Sequence, residues 1–311
     1  MISRTPKKIQ YMADVPGSAV SLPVTEITGA APGPVFLITA GIHGGEYPGI
    51  AASMELARLL QPEDIAGAVI LIHASNPDRF WDRRAECGSR SEENLNRCFP
   101  GSAGGNEAER LARFLTDRFI LRADFYADCH SGDIHEDLCA HVYYPLACRE
   151  EVSRISREMA ALTDVPYIIP SRASGNAYSS AAAAGIPAIL IEHGGNGLCL
   201  DTDIRAFRND LIRLLRYAGI LRSGRFPAEP MKETPREVQR VIYPEAPHDT
   251  CWRTSLCSGG SVRRGDVLGY TTDIFGNGKK EWTAEADGVI LYINTSLTLR
   301  KGNHPAVYAV L

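Results

Sequence analysis

The chain has 311 residues, of which 44% are hydrophobic and 23% charged, and its formal net charge is −4. That is ordinary globular composition, with apolar material for a core and length for two domains, which excludes disordered, collagen-like and coiled-coil chains. A near-neutral, slightly acidic chain has no broad basic surface for a nucleic-acid backbone, so the expected partner is a small molecule.

The first two thirds alternate strand and helix patterns. Val35 to Ala40 is an apolar run ending at Gly41, as a buried strand should be. Ile50 to Leu60 carries an apolar stripe at helical spacing. Val69 to His73 reads as a second buried strand, Glu107 to Leu121 as a helix, and Asp124 to Cys129 and Ala140 to Tyr144 as strands. Glu150 to Leu162 reads as a helix, Ile186 to Ile191 as a strand, and Ile204 to Tyr217 as a helix. This alternation predicts an α/β fold: a mostly parallel, mixed sheet with helices on both faces. Near residue 222 the character changes. Arg222 to Pro235 holds three prolines and no periodicity, and after about residue 238 short strands alternate with glycine turns. The expected organisation is a domain over residues 1–222, then a linker and a small all-β domain over 223–311.

No stretch approaches the roughly 18 apolar residues of a membrane helix. The basic N-terminus lacks the apolar run of a signal peptide. Eight cysteines, none in a C-x-x-C pair, read as mostly small core residues of a protein in a reducing compartment. The expectation is a soluble cytoplasmic protein with no membrane partner. Homo-oligomerisation is left open.

Three strand ends carry chemistry. Gly41-Ile-His43-Gly-Gly-Glu46 follows the first strand, and a tight glycine turn can bring imidazole and carboxylate to one cation. His130 ends a later strand, with Asp128 on the same strand face to orient an imidazole. Glu192 ends a third strand before two glycines. An ionised carboxylate there needs water, a partner or a metal, and beside a zinc-bound water it is the natural general base. His193 points to the other strand face and is not read as a ligand. In open α/β sheets such strand ends converge on one site. The stretch from Asn76 to Gly101 is rich in arginine. Asn96-Arg97 is read as an anion grip, and Arg79, Arg83 and Arg84 as a solvated charged loop. Arg172 and Tyr178 are candidate pocket contributors, though the reading as exposed-loop residues is preferred. No Gly-x-Ser-x-Gly elbow and no phosphate-binding P-loop is present. The C-terminal pattern around Gly265-Asp266 and Asp287-Gly288 resembles biotinyl/lipoyl-type half-barrels. The context of a carrier lysine is missing around Lys279-Lys280, so a structural or capping role is expected.

His43-x-x-Glu46, Asn96-Arg97 before Phe-Pro-Gly, Asp128-x-His130-Ser131 and Glu192-x-Gly-Gly, in that order, resemble the succinylglutamate desuccinylase/aspartoacylase family. These are zinc hydrolases with a carboxypeptidase-like α/β domain and a small β domain after it. The resemblance implies that His43, Glu46 and His130 bind one Zn²⁺ and that Glu192 activates the water and protonates the leaving amine. It implies that Asn96 and Arg97 hold the substrate carboxylate and that Arg90 polarises the scissile carbonyl. Relatives commonly read Asp-Leu-Asn-Arg where this chain has Asn94-Leu-Asn-Arg97. That aspartate supports a zinc-binding histidine, and Asn94 can still accept a hydrogen bond. A substrate-capping tyrosine, which some relatives take from the β domain, is not assigned to a position. The implied function is a zinc-dependent deacylase that cleaves the amide of a small N-acyl amino acid into a carboxylate and an amine. Two other readings stand beside it: a metallocarboxypeptidase trimming short peptides, and a non-catalytic acyl-amino-acid-binding protein.

Overall fold

Residues 5–84, 93–221 and 225–311 are described by a computed structural model. The chain opens on a hairpin, β1 (Lys7–Asp14) and β2 (Ser21–Thr28). There follow β3 (Ala31–Ala40), α1 (Tyr47–Leu59), β4 (Ala66–Ile72) and a short helix α2 (Pro77–Asp82). Next come α3 (Glu107–Arg118), β5 (Phe125–His130), the short β6 (Glu136–Leu138), β7 (His141–Pro145) and α4 (Glu150–Ala160). The α/β part ends with β8 (Tyr167–Ser171), α5 (Ala177–Ala183), β9 (Ala188–Glu192) and α6 (Asp201–Tyr217).

Nine strands form one sheet in the order β1-β2-β4-β3-β5-β9-β7-β8, closed at its far edge by β10 (Arg236–Glu237). The pairs β3/β4, β3/β5, β5/β9, β7/β8 and β8/β10 are parallel. β1/β2, β2/β4 and β7/β9 are antiparallel. The strand period of two sorts side chains to the two faces. Phe36, Ile38 and Ala40 of β3 join one core with Leu56 of α1, Met159 of α4 and Phe207 of α6. Leu37, from the same strand, joins the other with Leu111 of α3 and Tyr178 of α5. The expected mixed sheet with helices on both faces is therefore present.

From Arg240 onward the chain is antiparallel. The strands are β11 (Arg240–Ile242), β12 (Thr250–Arg253), β13 (Ser261–Val262), β14 (Val267–Thr272), β15 (Lys280–Thr283), β16 (Gly288–Asn294), β17 (Thr298–Leu299) and β18 (Ala306–Val310). One sheet runs β11-β18-β16-β13 and the other β15-β14-β12-β17. Trp252, Leu268, Ile290 and Tyr308 pack between them. The early strand β6 also joins this region, pairing with β16.

Several expectations need correction. Of the seven described cysteines all are free, but only Cys129 is buried, and Cys199 and Cys257 are exposed. Arg79 is not in a solvated loop: it lies in α2, is 7% exposed and sits 3.8 Å from Asp82. Tyr178 belongs to α5 and is 2% exposed, while Arg172 is exposed as expected. Among the described residues no helix is long and apolar enough to cross a membrane.

Candidate metal centre and active site

The ends of β3, β5 and β9 lie side by side. Thr39 is in register with Asp128, and His130 with Glu192. The turn after β3 is held by glycines for two reasons. Gly41 has a φ of +66°, a left-handed conformation that suits glycine. A Cβ on Gly44 would lie 2.1 Å from the Arg79 carbonyl, so only glycine fits between the turn and α2. The turn places Glu46 at the residue before α1, facing the imidazoles of both histidines.

His43 Nδ1 lies 2.6 Å from Glu46 Oε1, and His130 Nδ1 lies 2.8 Å from Glu46 Oε2. The three candidate ligand atoms fall within 4.8 Å of one another. Glu46 also accepts from the Ser131 backbone N–H at 3.3 Å. Burial disfavours every charge here, yet the mutual attraction wins. His43 is held above its ordinary value by Glu46, His130 well above it by Asp128 and then Glu46, and Glu46 is held below its own by both imidazoles.

Each ring is backed on its far side. His43 Nε2 donates to Asn94 Oδ1 at 3.0 Å, so the asparagine does accept the hydrogen bond expected of it. His130 Nε2 stands 3.1 Å from Asp128 Oδ2, an ion-pair contact rather than a well-aligned hydrogen bond. Asp128, fully buried, accepts from Thr39 Oγ1 at 2.6 Å, and Thr39 Oγ1 lies 2.6 Å from the Tyr126 hydroxyl. Outer groups of this kind fix which imidazole nitrogen faces a metal.

Glu192 comes into the same cavity from the end of β9. Its Oε2 is buried and has no hydrogen-bond partner among the described residues. Burial, then the Glu46 carboxylate, holds its pKa well above the usual carboxylate range. His193 turns away as expected and pairs at 2.8 Å with Asp210 of α6.

The cavity measures about 390 Å³ and receives Asn96 and Arg97 at its rim. Asn96 Oδ1 accepts from the Ala177 N–H at the start of α5, so this oxygen has a structural task, while its Nδ2 makes no hydrogen bond to the described chain. Arg97 is exposed, with one guanidinium nitrogen on the Asn96 carbonyl. Arg90 lies outside the described residues.

Several lining residues escape the sequence reading. Asp133, in the turn after β5, and Glu136, the first residue of β6, line the cavity. His141, in register with Glu192 on β7, donates from Nδ1 to the Cys139 carbonyl at 2.7 Å, and burial pushes it down to about 4, so it is neutral. From the C-terminal region come Tyr243 and Tyr292. The Tyr243 hydroxyl meets that of Tyr143 at 3.2 Å, and burial raises all three phenols, which stay protonated.

Residues 32–218 match the succinylglutamate desuccinylase/aspartoacylase catalytic domain, and the chain belongs to that family. An N-alpha-acetyl-L-2,4-diaminobutyric acid deacetylase from Halomonas elongata is 28% identical over 306 residues, covering 94% of this chain and 86% of that protein. Among solved structures, a succinylglutamate desuccinylase/aspartoacylase from Rhodobacter sphaeroides superposes with a TM-score of 0.85 at 22% identity, over 99% of this chain and 96% of that one. The product-bound ectoine utilization protein EutE (DoeB) from Ruegeria pomeroyi gives 0.83 at 23%, over 99% and 95%. These two structures share the fold.

Proposed function

We propose that this chain is a deacylase that uses one Zn²⁺ to hydrolyse the amide bond of a small N-acyl amino acid. The observation that carries the reading is Glu192 in register with His130, its buried Oε2 unpartnered beside the His43–Glu46–His130 cluster. Two imidazoles and one carboxylate are a donor set of catalytic zinc, which keeps a further position open. His43, Glu46 and His130 would hold the ion. When bound, Zn²⁺ lowers the pKa of a water toward neutrality and polarises the acyl carbonyl.

The remaining work falls to the protein. Glu192 takes a proton from the attacking water and delivers it to the leaving nitrogen. The water oxygen ends on the acyl carbon, the C–N bond breaks, and a carboxylate and an amine leave. Arg97 and the Asn96 amide nitrogen grip the substrate carboxylate. Tyr243 or Tyr292 caps the substrate from the β region, and Arg90 keeps its proposed part in polarising the carbonyl. We place the division between the catalytic domain and the β domain at residues 222 and 223.

The test is metal analysis with a hydrolysis screen of N-acetyl and N-succinyl amino acids against longer peptides. The expected result is about one zinc per chain, activity on the small amides, loss on chelation and recovery on adding zinc. Unchanged turnover after complete metal removal would sink the proposal. A preference for longer peptides would support the carboxypeptidase reading instead.

A further inference from the structure

His141 stands beside the proposed general base. It lies on β7 directly across from Glu192 of β9 in an antiparallel pair, so the two side chains leave the sheet on the same face. It is 1% exposed and lines the cavity. The Tyr143 ring packs against it nearly edge-on, with the centroids 5.0 Å apart and the planes at 78°.

The partners of the ring fix where its hydrogen sits. The Cys139 carbonyl can only accept, so Nδ1, 2.7 Å away, carries the hydrogen. Burial disfavours the cation and lowers the pKa to about 4, which leaves Nε2 bare near neutrality. Nε2 makes no hydrogen bond among the described residues. Its lone pair is therefore an uncharged acceptor held beside Glu192. A bound N-acyl amino acid brings one uncharged N–H to the bond that is cut, and it lies on the nitrogen that Glu192 must protonate.

We infer that His141 is a further catalytic residue, whose Nε2 accepts the N–H of the scissile amide and turns the nitrogen lone pair toward Glu192. The inference rests on the deacylase reading and deepens it. In the planar amide that lone pair is delocalised into the carbonyl. It is freed as the attacked carbon becomes tetrahedral, and Glu192 then delivers its proton there. The hydrogen facing His141 stays on nitrogen throughout. The departing amine carries that hydrogen and the one from Glu192, and His141 neither gains nor loses a proton. As the nitrogen takes on positive charge its N–H becomes a better donor. The contact is then stronger in the transition state than in the bound substrate, and it acts on kcat rather than KM.

Matched amide and ester substrates read this contact, because the bridging oxygen of an ester carries no hydrogen. The probes are the N-acetyl or N-succinyl amino acid that the zinc-loaded enzyme hydrolyses fastest, and the acyl ester of the corresponding 2-hydroxy acid. His141→Phe and His141→Leu both remove the acceptor, so that one serves if the other does not fold. Each should lower kcat on the amide by about 10- to 100-fold with KM little changed, and lower it far less on the ester. His141→Gln, whose side-chain oxygen can accept from a similar position, should keep part of the amide rate. Equal proportional losses on amide and ester in the acceptor-free variants, or an unchanged amide rate in them, overturns the inference and leaves the deacylase reading standing. A parent enzyme that hydrolyses none of the amides or esters removes the deacylase reading and the inference with it.

Discussion

His43 Nε2 donates to Asn94 Oδ1 across 3.0 Å, so one of the two facing imidazoles leans on a neutral amide while His130 leans on the Asp128 carboxylate at 3.1 Å. In both rings Nε2 faces this backing group and Nδ1 faces the Glu46 side. The two backing groups differ in charge. A carboxylate raises the basicity of the ring it backs, and an amide does so far less.

Metal affinity should respond to that asymmetry. Asn94→Asp adds the missing charge and should tighten divalent metal by about tenfold, whereas Asp128→Asn should loosen it by about 10- to 100-fold. Competition with a chelator of known affinity measures both. Equal affinity in Asn94→Asp and the parent would show that charge behind His43 does not reach the metal.

Glu192 and His130 occupy the same level on adjacent strands, which separates holding a metal from moving a proton. Glu192→Gln keeps the shape and removes the titrating oxygen. The variant should bind metal with unchanged stoichiometry and lose about 10²- to 10⁴-fold in kcat. Near-parental turnover would take Glu192 out of the mechanism.

Arg97 stands exposed at the cavity rim, placed for a ligand rather than for the core. Arg97→Ala should raise KM about tenfold or more for substrates with a free carboxylate, from the loss of a charge-assisted contact. The corresponding carboxamides should change little. An equal rise for both classes would contradict the assignment.

The parts that were readable in the sequence share a physical reason. β3, β4, β5 and β9 are buried on both faces, so they appear as continuous apolar runs, and each of His43, His130 and Glu192 falls at or just past the end of one. β1 is different: seven of its eight residues are exposed or half-buried, and an edge strand with no core face carries little pattern. α5, Ala-Tyr-Ser-Ser-Ala-Ala-Ala, shows no apolar stripe, and β8 is interrupted by Pro170. Glu136 was unreadable for another reason. Its strand is three residues long and its partner β16 lies far along the chain, so nothing local encodes the pairing. Arg79 departs from the expectation because charged runs are usually solvated, whereas here its backbone lies against the glycine turn and the residue is buried.

A buried histidine outside the site gives the fold a pH dependence of its own. Ser53 Oγ donates to the Ile50 carbonyl, so His73 Nδ1 must donate to Ser53 at 2.8 Å and His73 Nε2 must accept from Thr25 Oγ1 at 2.8 Å. That arrangement needs the neutral ring, and burial lowers its pKa to about 4. The unfolded chain, with an ordinary histidine, binds the proton from about pH 6.5 downward. Between roughly pH 6.5 and 4 the unfolded state therefore holds more protons, and stability falls as pH falls, by about 3 kcal/mol over the window for this one group. Urea midpoints of metal-free protein at pH 7, 5.5 and 4.5 should drop more steeply in the parent than in His73→Gln, which has no proton to gain. Parallel pH profiles for the two proteins would show that His73 already carries its proton in the folded state.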